Sequence, residues 1–138
     1  MFEYLTSQLT ARLEQLGWPT NQLQLARPKK VENGDWSSNI AMALARELKR
    51  APMQIAEELM DGFTLDPSIV EKFETLNPGF INFFQSADYL TAQVSNILEE
   101  KGEYGKSDFG SGKTAQVEFV SANPTGPLTV GHGRQTVQ

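Results

Sequence analysis

Phe2, Leu5, Leu9, Leu13 and Leu16 recur at three- and four-residue steps, which predicts a helix with one apolar face, ended by Gly17 and Pro19. Residues 22–25 (Gln-Leu-Gln-Leu) alternate as a strand does, and Arg27-Pro28-Lys29-Lys30 and Glu32-Asn33-Gly34-Asp35 read as turns or loops. Ser37 or Ser38 is placed to cap a second helix carrying Ile40, Leu44 and Leu48, with Ala41 and Ala45 allowing close approach. Pro52 opens a third helix with Ile55, Ala56 and Leu59, and Gly62 ends it. The period then shortens to two. Val70 to Leu76 and Phe80 to Phe84 read as strands joined at Asn77-Pro78-Gly79, a hairpin. Leu90, Val94, Ile97 and Leu98 form a fourth helical stripe, capped by Ser86 or Asp88. Gly-rich residues 102–112 suggest a linker. Ala115 to Val120 reads as a strand entering the Pro- and Gly-rich loop 121–127, and Val130-Gly131-His132-Gly133-Arg134 opens a last helix.

These elements predict an α+β domain, a small antiparallel sheet with helices packed on it, over residues 1–106. A linker at 107–114 follows, and then, over 115–138, the first strand and loop of an incomplete Rossmann-type nucleotide-binding domain. The chain has 138 residues, too few to complete a second domain of that kind.

With 39% hydrophobic residues, 8 Phe, 2 Trp and 3 Tyr, the chain can bury a core. Zero Cys excludes disulfides, thiolate metal sites and a cysteine nucleophile, and a single His excludes a histidine-rich metal site, so no metal site is expected. No run approaches the roughly 18 apolar residues of a membrane span, and the first residues are not those of a signal peptide; a cytoplasmic protein without a membrane partner is expected. A net charge of −5 argues against a general affinity for nucleic acid, but it hides a gradient. Between Arg27 and Arg50 six basic residues face three acidic ones, whereas residues 57–103 are strongly acidic.

The segment after the linker carries the chemistry. A strand, a Pro- and Gly-rich loop and a helix opening at Val130-Gly131-His132 can face backbone N–H groups toward phosphate. Gly131 would allow close approach, and His132 would offer a ring donor to a phosphate oxygen. When a carboxylate attacks the α-phosphorus of ATP, charge builds on the phosphoryl oxygens, and preorganised donors there lower the barrier without a covalent nucleophile.

The run from Val117 through Glu118, Ser121-Ala122-Asn123-Pro124-Thr125-Gly126-Pro127-Leu128-Thr129-Val130-Gly131-His132-Gly133 to Arg134 resembles the first signature of bacterial arginyl-tRNA synthetases, a class I aminoacyl-tRNA synthetase family. The resemblance extends back through Gly34-Asp35-Trp36-Ser37-Ser38-Asn39, Ile55-Ala56-Glu57-Glu58-Leu59, Asn77-Pro78-Gly79-Phe80-Ile81-Asn82-Phe83 and Tyr104-Gly105-Lys106-Ser107. It implies the N-terminal part of an arginine-tRNA ligase that activates L-arginine with ATP, Mg assisting, and transfers it to tRNA(Arg). The parent is expected to be monomeric, to have no tightly bound cofactor, and to be inactive as this fragment alone. Gly131 and His132 match the last two positions of the HIGH motif, within an ATP-binding region that includes Ala122, Asn123, Pro124, Thr125, Gly126, Pro127, Leu128 and Val130. Thr129 stands where most members carry the first histidine, and its hydroxyl can still donate. Glu118 and Asn123 match positions that hold arginine, the first by charge pairing.

The same resemblance implies that residues 1–106 contact the tRNA D-loop. Asn77, Phe80 and Asn82 fall on the matching hairpin, with Phe80 as a stacking face and the amides reading base edges. Alternation sets Phe80, Asn82 and Phe84 on one side of the strand, and a side bearing Asn82 is expected to be the open one. Lys29 and Lys30, and secondarily Lys49 and Arg50, are candidate phosphate contacts; Asp35, Trp36 and Asn39 are secondary candidates explained equally by capping and packing. Two alternatives are a stand-alone RNA-binding module and the start of another adenylyltransferase with the same His-containing tetrad.

Overall fold

The computed structural model describes every residue except Phe119, Pro124 and Gln138, and only the backbone of Gln135 and Thr136. It divides into two units, Met1–Gly102 and Glu103–Gln138. In the first, the leucine stripe becomes the inner face of α1 (Phe2–Gln15), with Leu5, Leu9 and Leu13 fully buried. Ile40, Ala41 and Leu44 of α2 (Ile40–Leu48) and Ile55, Ala56 and Leu59 of α3 (Pro52–Met60) complete the helical side of the core. Each such Leu or Ile contributes about 1.5–3 kcal/mol relative to exposure. Arg12 ties α1 to α3: its Nε donates to the Leu59 carbonyl at 3.0 Å and Nη2 to the Asp61 carbonyl at 2.6 Å, so a cation satisfies carbonyls that the end of α3 leaves unpaired.

The other side of the core is a sheet. β1 (Leu25–Ala26), β2 (Trp36–Ser38), β3 (Val70–Leu76) and β4 (Phe80–Gln85) pair antiparallel in the order β1-β2-β4-β3. Ile81 and Phe83 of β4 are fully buried, which fixes the parity of the whole sheet. Trp36 and Ser38 pair with Phe83 and Ile81 on the core side, while Ser37 pairs with Asn82, and Leu76 with Phe80, on the opposite face. A register shift between Val70 and Lys72 marks a bulge in β3. Two glycines allow close crossings. Gly34, at φ +85°, lies where a Cβ would come within 2.7 Å of the Phe83 carbonyl oxygen, and Gly79, at φ +148°, lies where one would meet Pro52 Cβ at 2.7 Å.

The α+β class and the hairpin are as expected, with several local differences. The strand expected over 22–25 is confined to Leu25–Ala26, because only those residues find partners, in Ser38 and Ser37. The expected helix cap at Ser37 or Ser38 is instead strand β2, and Asn39 occupies the N-cap. Ser38 still takes part: its hydroxyl accepts from Ile40 N–H at 3.3 Å and donates to the Gln24 carbonyl at 2.8 Å. Ser86 does cap α4 (Ala87–Glu100), accepting from Tyr89 N–H at 3.0 Å, but Leu90, Val94, Ile97 and Leu98 of its stripe are exposed.

In the second unit, the strand expected over 115–120 does not form among the described residues: Ala115 to Glu118 and Val120 have no ladder partner, and Phe119 lies outside them. Val120 has φ +54°, outside the extended region that a strand requires. The helix expected after Thr129 is present as α5 (Val130–Thr136).

Candidate nucleic-acid interface

The open face of the sheet, beside the loop between β1 and β2, holds a groove of about 570 Å³. Phe80 and Asn82 of β4, Leu76 of β3 and Asn77 of the turn form one side and the floor, and Ala26, Arg27, Pro28, Lys29 and Asn33 form the loop side. Gln24, Ser37 and Asn39 complete the lining. Packing of Gly79 against Pro52 holds the turn that leads into Phe80. Phe80 is 39% exposed as a residue, so it is in part available to a flat ligand.

Of the residues singled out in the sequence, the groove brings together Lys29, Asn77, Phe80, Asn82 and Asn39. Phe80 is on the open side, as the alternation requires. Asn82 is on that side too, but it is not an open surface residue: it is 2% exposed, because Ser37 packs beside it and donates its hydroxyl to Asn82 Oδ1 at 2.6 Å. Lys30 does not line the groove and pairs with Glu32 at 3.2 Å. Arg50 pairs with Glu58 at 2.5 Å, and Lys49 closes α2 in a left-handed conformation at φ 52°. Asp35 is structural: its N–H donates to the Phe83 carbonyl at 2.9 Å and its Oδ2 accepts from Gln85 N–H at 2.8 Å, extending the β2–β4 pairing. Trp36 packs against Phe2, with ring centroids 5.2 Å apart, and its Nε1 is buried with no partner among the described residues.

Arg27, Gln24, Asn33 and Ser37 line the groove without having been named as candidate contacts. Arg27 contributes to the lining, but its guanidinium carbon lies 4.7 Å from the Trp36 ring centroid, so its charge rests on a ring of the core-facing side of β2. Its place beside Lys29 in the Arg-Pro-Lys-Lys run was the available signal. Among the described residues Lys29 has no carboxylate within ion-pair distance, so its charge faces solvent unmatched. The arrangement suits an unpaired base: a partly exposed aromatic residue, amides in the same lining, and one cation without an ion-pair partner, Lys29.

In the second unit, Thr129 caps α5, and its own N–H donates to His132 Nδ1 at 3.0 Å. Gly131 lies where a Cβ would contact Thr129 Oγ1 at 3.6 Å. Ala122 is half-buried, whereas Asn123, Thr125, Gly126, Pro127, Leu128 and Val130 are exposed; Pro124 lies outside the described residues. Glu118 accepts a hydroxyl hydrogen from Ser121 at 2.6 Å and is not hydrogen-bonded to Asn123. Among the described residues no group of three His, Cys, Asp or Glu side chains is placed to hold a metal ion, and no helix is long and apolar enough to cross a membrane.

Residues 3–85 match the family model for the arginyl tRNA synthetase N terminal domain. An arginine–tRNA ligase of Thermotoga maritima is 47% identical over 116 residues, covering 84% of this chain and 21% of that protein. One of Listeria welshimeri is 50% identical over 113 residues, covering 82% and 20%. The chain thus spans about a fifth of the length of the curated relatives it matches. Among solved structures, Thermus thermophilus arginyl-tRNA synthetase superposes with a TM-score of 0.56 at 31% identity, covering 64% of this chain and 14% of that one. Plasmodium falciparum arginyl-tRNA synthetase superposes with a TM-score of 0.59 over 69% of this chain and 18% of that one; at 15% identity it speaks to the fold alone.

Proposed function

The chain belongs to the arginyl-tRNA synthetase N-terminal domain family, and from that premise we propose that it is the tRNA-contacting part of an arginine-tRNA ligase. Unpaired bases are read by stacking and by hydrogen bonds to their edges. The groove supplies both: Phe80 gives the stacking face, Asn77 and Asn82 the edge contacts, and Lys29 positions the backbone. The D-loop of tRNA(Arg), whose unpaired bases can be turned outward, is the matching substrate element. The observation that carries this reading is the partly exposed Phe80 at the wall of a groove that also holds amides and Lys29.

In this reading residues 1–106 form the tRNA-elbow domain, 107–114 the linker, and 115–138 the opening of the adenylating domain. There Thr129, Gly131 and His132 act on ATP, and Glu118 and Asn123 on L-arginine. Thr129 N–H donates to His132 Nδ1, which orients the ring at the start of α5, where donors can meet phosphoryl oxygens as charge develops. In the parent ligase a Mg ion would enter with ATP, held by its phosphates. The parent ligase is taken as cytoplasmic and monomeric.

The test is binding of tRNA(Arg) to the chain, beside a transcript whose unpaired D-loop bases are replaced by abasic sites. The expected result is a loss of roughly 5-fold or more, the effect of one base stack. Equal affinity for the two transcripts would contradict the reading. The chain alone is expected to form no arginyl-adenylate.

A further inference from the structure

We propose that Ser37 is a positioning residue that fixes the Asn82 amide with its NH2 toward the groove, so that the base bound there must present a ring nitrogen or carbonyl oxygen to it. This rests on reading the groove as an RNA site. Asn82 is 2% exposed yet lines the groove, so one end of its amide is set by the protein and the other faces the ligand. Ser37 and Asn82 are direct partners across β2 and β4, which places their side chains on the same face at adjacent positions.

The separation identifies the atoms. Ser37 Oγ lies 2.6 Å from Asn82 Oδ1, within the O–H···O range. A flipped amide would put Nδ2 at that point, shorter by about 0.3 Å than N–H···O bonds prefer. The hydroxyl therefore selects the orientation with the carbonyl oxygen inward. No acceptor among the described residues takes a hydrogen from Nδ2, so the donor is available in the groove. A buried donor of this kind is worth most when a ligand acceptor meets it and costs most when a ligand donor opposes it.

The experiment measures tRNA(Arg) binding to the chain by fluorescence anisotropy for wild type, Ser37→Ala, Ser37→Thr, Asn82→Ala, the Ser37→Ala/Asn82→Ala double variant, and Phe80→Ala, with thermal melts alongside. Ser37→Ala should weaken binding roughly 2- to 10-fold, the effect of one hydrogen bond, and Ser37→Thr, which keeps the hydroxyl on a residue favoured in strands, should restore it. In the Asn82→Ala background, loss of Ser37 should have no further effect, because Ser37 acts only through that amide. If Asn82→Ala melts below the assay temperature, the Ser37→Ala and Ser37→Thr pair decides. Wild-type affinity for Ser37→Ala, failure of Ser37→Thr to restore, or an undiminished effect of Ser37→Ala without Asn82 overturns the proposal. If Phe80→Ala binds as wild type does, the RNA reading of the groove itself falls, and the role of Ser37 with it. If Phe80→Ala weakens binding and Ser37→Ala does not, only the positioning role fails.

Discussion

Replacing Phe80 by Ala separates stacking from packing. The residue is 39% exposed, so about three-fifths of its surface is covered in the fold. Complete burial of a Phe side chain is worth about 1.5–3 kcal/mol, and the covered share puts the stability loss near 1–2 kcal/mol. For a domain of this size that is a drop in Tm on the order of 4–16 °C, with the fold kept. Loss of a base stack costs about 1–3 kcal/mol of binding, roughly 5- to 150-fold in Kd. The assay is anisotropy of labelled tRNA(Arg) titrated with wild type and Phe80→Ala well below both melting points, with melts recorded on the same samples. A lowered Tm with Kd unchanged within twofold would mean that Phe80 only packs, and would refute the stacking argument.

Lys29→Ala should reduce the slope of log affinity against log salt by about 0.7–0.9, one phosphate contact, while Lys30→Ala changes it less because Lys30 lies outside the groove and pairs with Glu32. Gly79→Ala should lower Tm and weaken tRNA binding together, since a Cβ there would strike Pro52 at 2.7 Å and displace the turn leading into Phe80; an unchanged melt would contradict this. Asp66 accepts from the Ser68 hydroxyl and N–H, and these bonds hold its carboxyl below the usual carboxylate range. A depressed folded pKa means that its contribution is full above the unfolded value, near pH 4, and is lost as pH falls through the folded one. Melts of wild type and Asp66→Asn between pH 2 and 7 should therefore differ most at the upper end and converge toward the lower; a gap that widens on acidification would contradict the assignment.

Much of the first unit is legible in the sequence because its elements are long enough to show their period. Leu5, Leu9 and Leu13 announce α1, and Ile81 and Phe83 between Phe80, Asn82 and Phe84 announce which side of β4 is core. Strand β2 is hidden by its length: three residues, Trp36-Ser37-Ser38, cannot establish an alternation, and two serines before a helix look like caps. Missing β2 also hid Ser37 as a neighbour of Asn82, and with it the burial of that amide. The stripe on α4 shows which side is apolar but not what covers it, so its exposure could not be read. Residues 115–120 have strand-forming composition, but a strand exists only with a partner, which periodicity does not report. The groove itself joins residues far apart in sequence, Arg27 and Lys29 with Asn77 and Phe80; the motif resemblance indicated Asn77 and Phe80, and only the strand order explains why they meet the others.

Backbone amide shifts of the ¹⁵N-labelled chain, followed during titration with tRNA(Arg), locate the RNA contact residue by residue. The groove account predicts that the largest changes fall at Ala26, Lys29, Ser37, Phe80 and Asn82, with the buried faces of α1 and α3 unmoved. Changes centred on the exposed stripe of α4, with Phe80 and Asn82 silent at saturation, would contradict it.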